Sequence, residues 1–481
     1  MTQEIQKIDE YTYEVPKSGK MRVPGRVYAS EKLMKAIQQD QSLQQVINVA
    51  HLPGIRRFSL AMPDIHWGYG FPIGGIAATD PDDDGVISPG GVGYDINCGV
   101  RLVSTHLKVD EVQDKMQNIV QHLYRNVPTG VGSSDAIRKL SKSNFRKLVT
   151  EGAAWAVHEG FGRREDLEFI EDNGCLDGAD PDAVSDRAYQ RGKSQVGTLG
   201  SGNHFLEIGR VDEIYNRDAA AKFGLQEGGI VVLIHTGSRG FGHQICDEYI
   251  KTSLQAVNKY GIDLPDKQLA CAPINSGEGK SYLGAMRCAA NFAFNNRQVI
   301  MHLAEQAFLE SLNISPRDLG FNLVYDICHN IAKFEEHKIN GDTRNLCVHR
   351  KGATRAFGPE SPYVPEKYHE IGQPVMIPGD MGRYSYVCAG TARAMSETFG
   401  SSCHGAGRQM SRRQSKKQSR SMDIYQELRK RGVTIQAAGS RTVAEEMPHA
   451  YKDVADVVDL MHDAGITSKV ARFRPIGVIK G

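Results

Sequence analysis

The sequence predicts an α+β fold built as one unit over residues 1–481. Three observations predict it. Two short, mainly apolar runs, Ile230 to Ile234 and Leu323 to Ile327, have the length of buried strands, and each runs into a histidine and a turn. Between them, Tyr282 to Leu312 carries Met286, Ala290, Phe294, Ile300, Leu303, Ala307 and Phe308 at helical spacing, the stripe of a long core helix. Candidate ligand residues run from Asp95 to His404 with no internal repeat, low-complexity tract or linker between them. Length alone would allow about three domains, but independent domains would not share such a set.

Taken in order, residues 1–30 form an extended opening segment, because Pro16, Gly19, Pro24 and Gly25 break any long helix. Glu31 to Val49 reads as helix from Leu33, Ile37, Val46 and Val49. Asp80 to Asp84, with Pro81, reads as a solvated acidic turn. Residues 108–160 read as helical, with a break at Pro128-Thr129-Gly130. Residues 163–195 are charged, poor in apolar side chains and punctuated by Gly174, Gly178 and Pro181, the pattern of a loop or flap. Strands are expected at Asn203 to Ile208 and Ile230 to His235, and short strands alternate with glycine-rich turns over 320–405. Ser421 is placed to cap a helix running to Arg431 and closed by Gly432. Val454, Val457, Val458 and Met461 mark a last helix, closed near Gly465.

Composition excludes several classes. Hydrophobic content of 40% and charged content of 24% are ordinary for a soluble globular chain. With 58 Lys+Arg against 57 Asp+Glu, a nucleic-acid partner must use a local patch and not a global field. The nine cysteines are scattered with no Cys-x-x-Cys, which argues against a disulfide scaffold or zinc ribbon and fits a reducing compartment. Met1 to Lys17 has no apolar signal-peptide core, and Ile230 to Ile234 is far short of the roughly 18 residues of a membrane span. The expectation is a soluble, cytoplasmic protein.

The chemistry concentrates in glycine-framed stretches. Ser401-Ser402-Cys403-His404-Gly405-Ala406-Gly407-Arg408 sets an imidazole on a turn where another molecule can approach the backbone. Such a histidine can form a covalent intermediate, and the exposed N–H groups suit a phosphate. Gly93-Tyr94-Asp95-Ile96-Asn97-Cys98-Gly99 places a carboxylate and a thiol three residues apart. Gly202-Asn203-His204, His235-Thr236-Gly237 and Cys328-His329-Asn330 add three histidines at strand ends, where ligands gather in α/β sheets. A thiolate, imidazoles and one carboxylate suit a borderline divalent metal such as Mn²⁺, Zn²⁺ or Co²⁺, and spacing does not choose among them.

These stretches together resemble the RtcB family of RNA ligases. The resemblance also covers Met62-Pro63-Asp64-Ile65-His66, His235-Thr236-Gly237-Ser238-Arg239-Gly240, Val348 to Arg355 and the ending Arg474-Pro475-Ile476-Gly477-Val478-Ile479-Lys480-Gly481. The matches keep their order to the last residue. They imply a single complex fold with mixed β-sheets in the core surrounded by helices. They also imply two Mn²⁺ ions, one held by Asp95, Cys98 and His204 and one by Cys98, His235 and His329. His404 would carry GMP from GTP as a phosphoramidate. RNA ends bearing a 2′,3′-cyclic phosphate or 3′-phosphate would then be guanylated and joined to 5′-hydroxyl ends, in tRNA splicing or RNA repair. The family's nucleotide pocket maps onto Asn203, His204, Phe205, Leu206, Glu207, His329, Asn330, Pro378, Gly379, Asp380, Met381, Ser385, Gly405, Ala406, Gly407 and Lys480. Asp380 departs from the small hydroxyl residue usual there, and Arg383 is also unusual. The resemblance further implies RNA and GTP as partners, an archease-type activator as a candidate partner, and a monomer.

Two decoys fail. Gly279-Lys280-Ser281 lacks the glycine a phosphate-binding loop needs at Ile274. Asp64-Ile65-His66 with Asn203-His204 is similar to binuclear phosphatases, but Phe205 stands where those place an acid. The basic run from Arg408 to Arg431 follows His404 directly, and its Arg408–Arg420 part is expected to bind phosphate. The competing readings are an end-capping guanylyltransferase, a metal-dependent phosphoesterase and a nucleic-acid-binding protein with a structural metal.

Overall fold

The computed structural model describes residues 5–419 and 424–481. Among these, two large sheets carry the molecule. The first runs Gln6–Lys7, Thr12–Val15, Gly25–Tyr28, Ser59–His66, Ile73–Thr79, Asp342–Lys351, Asn330–Ile339. The second runs Asn322–Cys328, Gly99–Lys108, Gly229–Thr236, Phe205–Ile214, Thr467–Lys480, Ser385–Gly390, Pro374–Ile377, with Thr434–Ala437 paired onto Thr467–Lys480. Pairing in both is antiparallel except for Gly25–Tyr28 on Ser59–His66 and Thr434–Ala437 on Thr467–Lys480. The sheets are mixed and the fold is α+β.

The strand Gly229–Thr236 shows why its sequence is uniformly apolar. Ile230, Val232 and Ile234 pack with Phe294, Ile300 and Met301 of the long helix. Val231 and Leu233 face the other way, onto Val211, Phe223 and Phe473. A strand covered on both faces needs no polar alternation. The helix itself spans Gly277–Leu312, 36 residues, and starts at Ser276, whose hydroxyl accepts from Gly279 N–H. Gly279-Lys280-Ser281 therefore lies inside a helix and not in a phosphate loop.

Several sequence expectations need correction. Glu31 to Val49 is two helices, Glu31–Ile37 and Ser42–Val49, because the apolar stripe lapses between Ile37 and Val46. Asp80 is buried and takes Arg56 Nη2 at 2.8 Å, while Asp82, Asp83 and Asp84 stay in solvent. The 163–195 segment is no free flap. It forms short 3₁₀ turns and the helix Asp186–Gly192, and its Glu171 is fully buried, accepting from Lys333 Nζ (2.6 Å) and Cys328 N–H (2.8 Å). The expected cap Ser421 lies outside the described residues; the helix following it spans Ile424–Lys430. The helix Val454–Asp463 is present, with Asp453 accepting from Ala455 N–H. Among the described residues no helix is long and apolar enough to cross a membrane, and all nine cysteines are free.

Candidate metal centre and nucleotide cavity

Strand register assembles the ligands. Gly99 pairs with both Thr236 and Cys328, and His235 pairs with Phe205. Cys98 precedes Gly99, His329 follows Cys328, and His204 precedes Phe205. Antiparallel pairing of four neighbouring strands thus delivers four side chains to one sheet edge. Cys98 Sγ lies 3.5 Å from His204 Nε2 and 3.3 Å from His235 Nε2. His235 Nε2 lies 3.3 Å from His329 Nε2, and Asp95 Oδ2 lies 2.8 Å from His204 Nε2. Two groups result, Asp95–Cys98–His204 and Cys98–His235–His329, each with its ligand atoms within 4.8 Å of one another.

The donor set fits divalent cations. His204 Nδ1 sits 3.0 Å from the Leu199 carbonyl, which can only accept, so Nδ1 donates there and Nε2 is the nitrogen that faces Asp95 and Cys98. Burial, reinforced by neighbouring imidazoles, pushes His235 and His329 well below the usual histidine range. Burial alone also drives the Cys98 thiol up, with Asp95 adding to it. Imidazoles and a thiol converging on one point form a site that a divalent cation would complete, with release of the thiol proton.

Buried charge behind the cluster holds its backbone. Asp326, fully buried, receives Arg101 Nε at 2.7 Å and Arg297 Nε at 2.9 Å. Arg297 Nη1 then donates to the carbonyls of Asn97 (2.8 Å) and Thr236 (2.9 Å), one on each side of the cluster. A Cβ on Gly237 would stand 2.6 Å from the Asp95 carboxylate, so glycine is required there.

His404 arrives from a separate two-stranded sheet. It follows Ser401–Cys403, which pairs with Ala353–Arg355 just after the strand Asp342–Lys351. Its backbone N–H and its Nδ1 both reach Asp64 Oδ2, at 3.0 and 2.6 Å. A carboxylate fixes Nδ1 as the protonated nitrogen and leaves the lone pair on Nε2. Gly407, at φ +73°, comes so close that a Cβ would stand 2.3 Å from the Asp64 carbonyl oxygen. Arg350, paired with buried Glu335 at 2.6 Å, donates to Ser401 Oγ at 2.8 Å and the Phe399 carbonyl at 2.7 Å, which fixes the strand leading into His404. The His404 and His329 rings are 4.9 Å apart.

One cavity of about 370 Å³ joins these parts. Its wall includes Asp95, Cys98, His235, His329, His404, Asn203, Phe205, Glu207, Asn330, Pro378, Gly379, Asp380, Met381, Ser385, Gly405, Ala406, Gly407 and Lys480. His204 and Leu206 are the exceptions among the mapped pocket residues, and Leu206 points away altogether. Strand alternation turns it into the core with Ile208 and Val232. Burial pushes the Glu207 carboxyl up to about 8, against the Ser385 hydroxyl that donates to it at 3.3 Å. Burial likewise pulls Lys480 down to about 8. Asn330 Nδ2 donates to the Asp95 carbonyl at 3.1 Å and so steadies the metal loop.

Two expectations change on contact with this geometry. Asp380 is not a loose carboxylate facing a nucleotide. It is closed by Arg383 and by Gly382 N–H at 3.0 Å, and Arg383 is held in turn by the carbonyls of Pro448, Tyr451 and Lys452. The basic run is also partly neutralised. Arg408 and Arg412 line the cavity but pair with Glu446 at 3.2 and 3.3 Å, and Lys416 pairs with Glu445 at 2.6 Å. Arg413 and Lys417 remain exposed on the helix Arg412–Ser419, and Arg420 lies outside the described residues.

Sequence reasoning missed Asp64 as the partner of His404. It also missed Lys351, Tyr69, Tyr94 and His243 as cavity wall. Asp64 stood in a quoted motif, beside Ile65-His66, but only the fold brings it to His404. Lys351 donates to the Tyr69 carbonyl, and burial pulls it down to about 7.

Comparison with known proteins agrees over nearly the whole chain. A sequence model of the family described as tRNA-splicing ligase RtcB matches residues 45–481. The tRNA-splicing ligase RtcB of Archaeoglobus fulgidus is 52% identical over 479 residues, 99% of this chain and 99% of its own length. That of Thermococcus kodakarensis is 52% identical over 478 residues, again 99% of each. The RNA-splicing ligase RtcB of Mycobacterium tuberculosis is 49% identical over 438 residues, 91% of this chain and 100% of its own.

Proposed function

The chain belongs to the RtcB family, and on that premise we propose that it is a GTP- and Mn²⁺-dependent RNA ligase. It joins RNA ends bearing a 2′,3′-cyclic phosphate or 3′-phosphate to 5′-hydroxyl ends, as in tRNA halves or broken RNA. The observation that carries the reading is the Asp64–His404 pair at 2.6 Å, set in one cavity with a cysteine–histidine ligand cluster.

His404 Nε2 attacks the α-phosphate of GTP, a phosphorus–nitrogen bond forms and pyrophosphate leaves. Asp64 keeps the Nδ1 proton in place and stabilises the positive charge that the ring gains during attack. A 2′,3′-cyclic phosphate is first opened by water, which breaks the P–O2′ bond; the RNA 3′-phosphate then takes GMP from His404, so the P–N bond breaks as a pyrophosphate linkage forms. The 5′-hydroxyl attacks the RNA phosphorus, a phosphodiester forms and GMP leaves. Asp95, Cys98 and His204 would hold one Mn²⁺ and Cys98, His235 and His329 a second, and ions there would supply charge neutralisation and in-line orientation for phosphate groups. Glu207 and Lys480, both on the cavity wall, offer a carboxyl and an amino group to a base edge.

Incubation with Mn²⁺, labelled GTP and RNA carrying the two end types tests the reading. The expected result is a protein–GMP adduct, stable in alkali and labile in acid, followed by joined RNA. Guanylated RNA that is never joined would favour a capping enzyme, and hydrolysis without any adduct a phosphoesterase. An adduct that persists in His404→Ala would remove His404 from the reaction.

A further inference from the structure

Three aromatic rings in the cavity wall have no role in guanylation. Tyr69, Tyr94 and His243 come from the turn after Ser59–His66, the loop before Gly99–Lys108 and the helix Arg239–Lys259. Glu207, Ser385 and Lys480 hang from different strands, Phe205–Ile214, Ser385–Gly390 and Thr467–Lys480. Tyr94 directly precedes the candidate ligand Asp95, so its ring belongs to the metal side.

Resting on the proposed ligation, we propose that Tyr69, Tyr94 and His243 are a stacking platform for the terminal base of the RNA strand that carries the 3′-phosphate. Three features support it. The first is open ring surface. Tyr69 meets Tyr94 at 5.8 Å and 67°, and Tyr94 meets His243 at 6.0 Å and 42°. Rings in edge or tilted contact leave faces uncovered, and Tyr94 is 37% exposed although it borders a cavity. The second is rigidity. The turn carrying Tyr69 is fixed by buried Gln45, whose amide nitrogen donates to the Gly68 and Gly70 carbonyls at 2.6 and 3.1 Å and whose oxygen accepts from Gly68 N–H at 3.0 Å. Gln268 accepts from Gly70 N–H at 3.0 Å. A ring held this way loses little freedom when a base lands on it.

The third feature is chemical fit. Groups that bind a terminal phosphate hold one end of a nucleotide and leave its base in the cavity mouth. Every base has a π-face, so stacking holds it without reading its sequence. An enzyme joining broken ends of varied sequence needs such a contact. The Lys351 amino group beside Tyr69 adds a hydrogen-bond donor next to the incoming backbone.

The test uses the full-length, Mn²⁺-loaded protein and a short 3′-phosphate RNA. Its terminal nucleotide is either intact or abasic, and binding is read by fluorescence anisotropy. Loss of one stacking partner corresponds to about 5- to 100-fold in Kd. Wild type should bind the abasic RNA weaker by that factor. Tyr94→Leu and Tyr69→Leu should bind intact RNA weaker and lose most of the difference between intact and abasic. Tyr94→Trp should keep it. Metal content per chain shows whether each variant retains its cluster. Trp67→Ala, on the same turn but outside the cavity wall, should bind as wild type does. An intact-to-abasic ratio unchanged in Tyr94→Leu and Tyr69→Leu overturns the platform. So does a wild type indifferent to the missing base, or a penalty seen only with an abasic 5′-hydroxyl strand. Adduct formation with GTP alone needs no RNA. Its failure in wild type would count against the ligase reading, while the anisotropy result still decides the platform.

Discussion

Two aspartate–histidine pairs, each with one member on the wall of the same cavity, are wired in opposite senses. His404 gives Nδ1 to Asp64 at 2.6 Å, which leaves Nε2 able to bond to phosphorus. His204 gives Nδ1 to the Leu199 carbonyl at 3.0 Å and turns Nε2 toward Asp95 at 2.8 Å, where a cation would complete the contact. The residue types are the same. What differs is which ring nitrogen faces the carboxylate, Nδ1 in His404 and Nε2 in His204, and that suits the first to the proposed nucleophile and the second to the proposed ligand. Each pair also has its own buried arginine. Arg297 with Asp326 fastens the backbone around Cys98 and His235, and Arg350 with Glu335 fastens the strand before His404.

The largest effects should come from removing one side of the comparison. Cys98→Ala deletes the donor common to both ligand groups. Metal bound after dialysis into Mn²⁺ should fall to near zero, and no GMP adduct should form. His404→Ala should form no adduct either, yet keep wild-type metal content and still seal RNA whose 3′-phosphate already carries GMP. Metal loss in His404→Ala would mean that the two pairs are not separate devices.

Asp64→Asn attacks the wiring and not the ring. An amide nitrogen facing Nδ1 favours the other tautomer, so adduct formation should slow by about 10²- to 10⁴-fold, with metal content unchanged. A near wild-type rate would show that the carboxylate is not what sets His404. Next come the supporting arginines. Arg297→Met and Arg350→Met each leave a buried carboxylate short of a partner, and denaturant midpoints should report a loss of about 3–5 kcal/mol. Only Arg297→Met should also weaken metal retention.

The smallest effect concerns Glu207, a cavity carboxyl whose partner is the Ser385 hydroxyl and not a histidine. Its folded form holds a proton up to about 8, against 4.5 in an exposed chain. A raised carboxyl means that the unfolded state ionises first. Stability is therefore lost as pH rises from about 4.5 to about 8. Glu207→Gln should melt like wild type near pH 4.5 and a few degrees higher near pH 7.5, as followed by calorimetry. An equal wild-type–variant difference at both pH values would contradict the raised carboxyl.

Parts of the fold were legible where burial is two-sided or the stripe is long. Ile230 to Ile234 and Tyr282 to Leu312 read correctly because nearly every position packs. Ser59–His66 was hidden by Pro63 and Asp64, at a strand whose register shifts between Ala61 and His66. Thr467–Lys480 was hidden by Lys469, Arg472, Arg474 and Pro475, whose charges pair sideways with Asp459 and Asp212. The helix Arg239–Lys259 escaped because Arg239, Gln244 and Ser253 interrupt its apolar face while being buried themselves. The 163–195 segment read as loose because its anchors are charges, and Glu171 has value only once Lys333 stands against it.

The candidate donors are visible in one dimension: a cysteine, an aspartate and histidines framed by glycines at the ends of apolar runs, in an order shared with RtcB proteins. Those are covalent facts, carried by residue type and local spacing. Which neighbour each of them meets is set by the fold. Asp64 meets His404, Leu199 claims the Nδ1 of His204, and Arg383 closes Asp380. Leu206 turns to the core although its neighbours Phe205 and Glu207 face the cavity. A ring's tautomer and a carboxylate's charge are set by the nearest acceptor or cation within about 3 Å. For His404 that neighbour comes from 340 residues away in the chain.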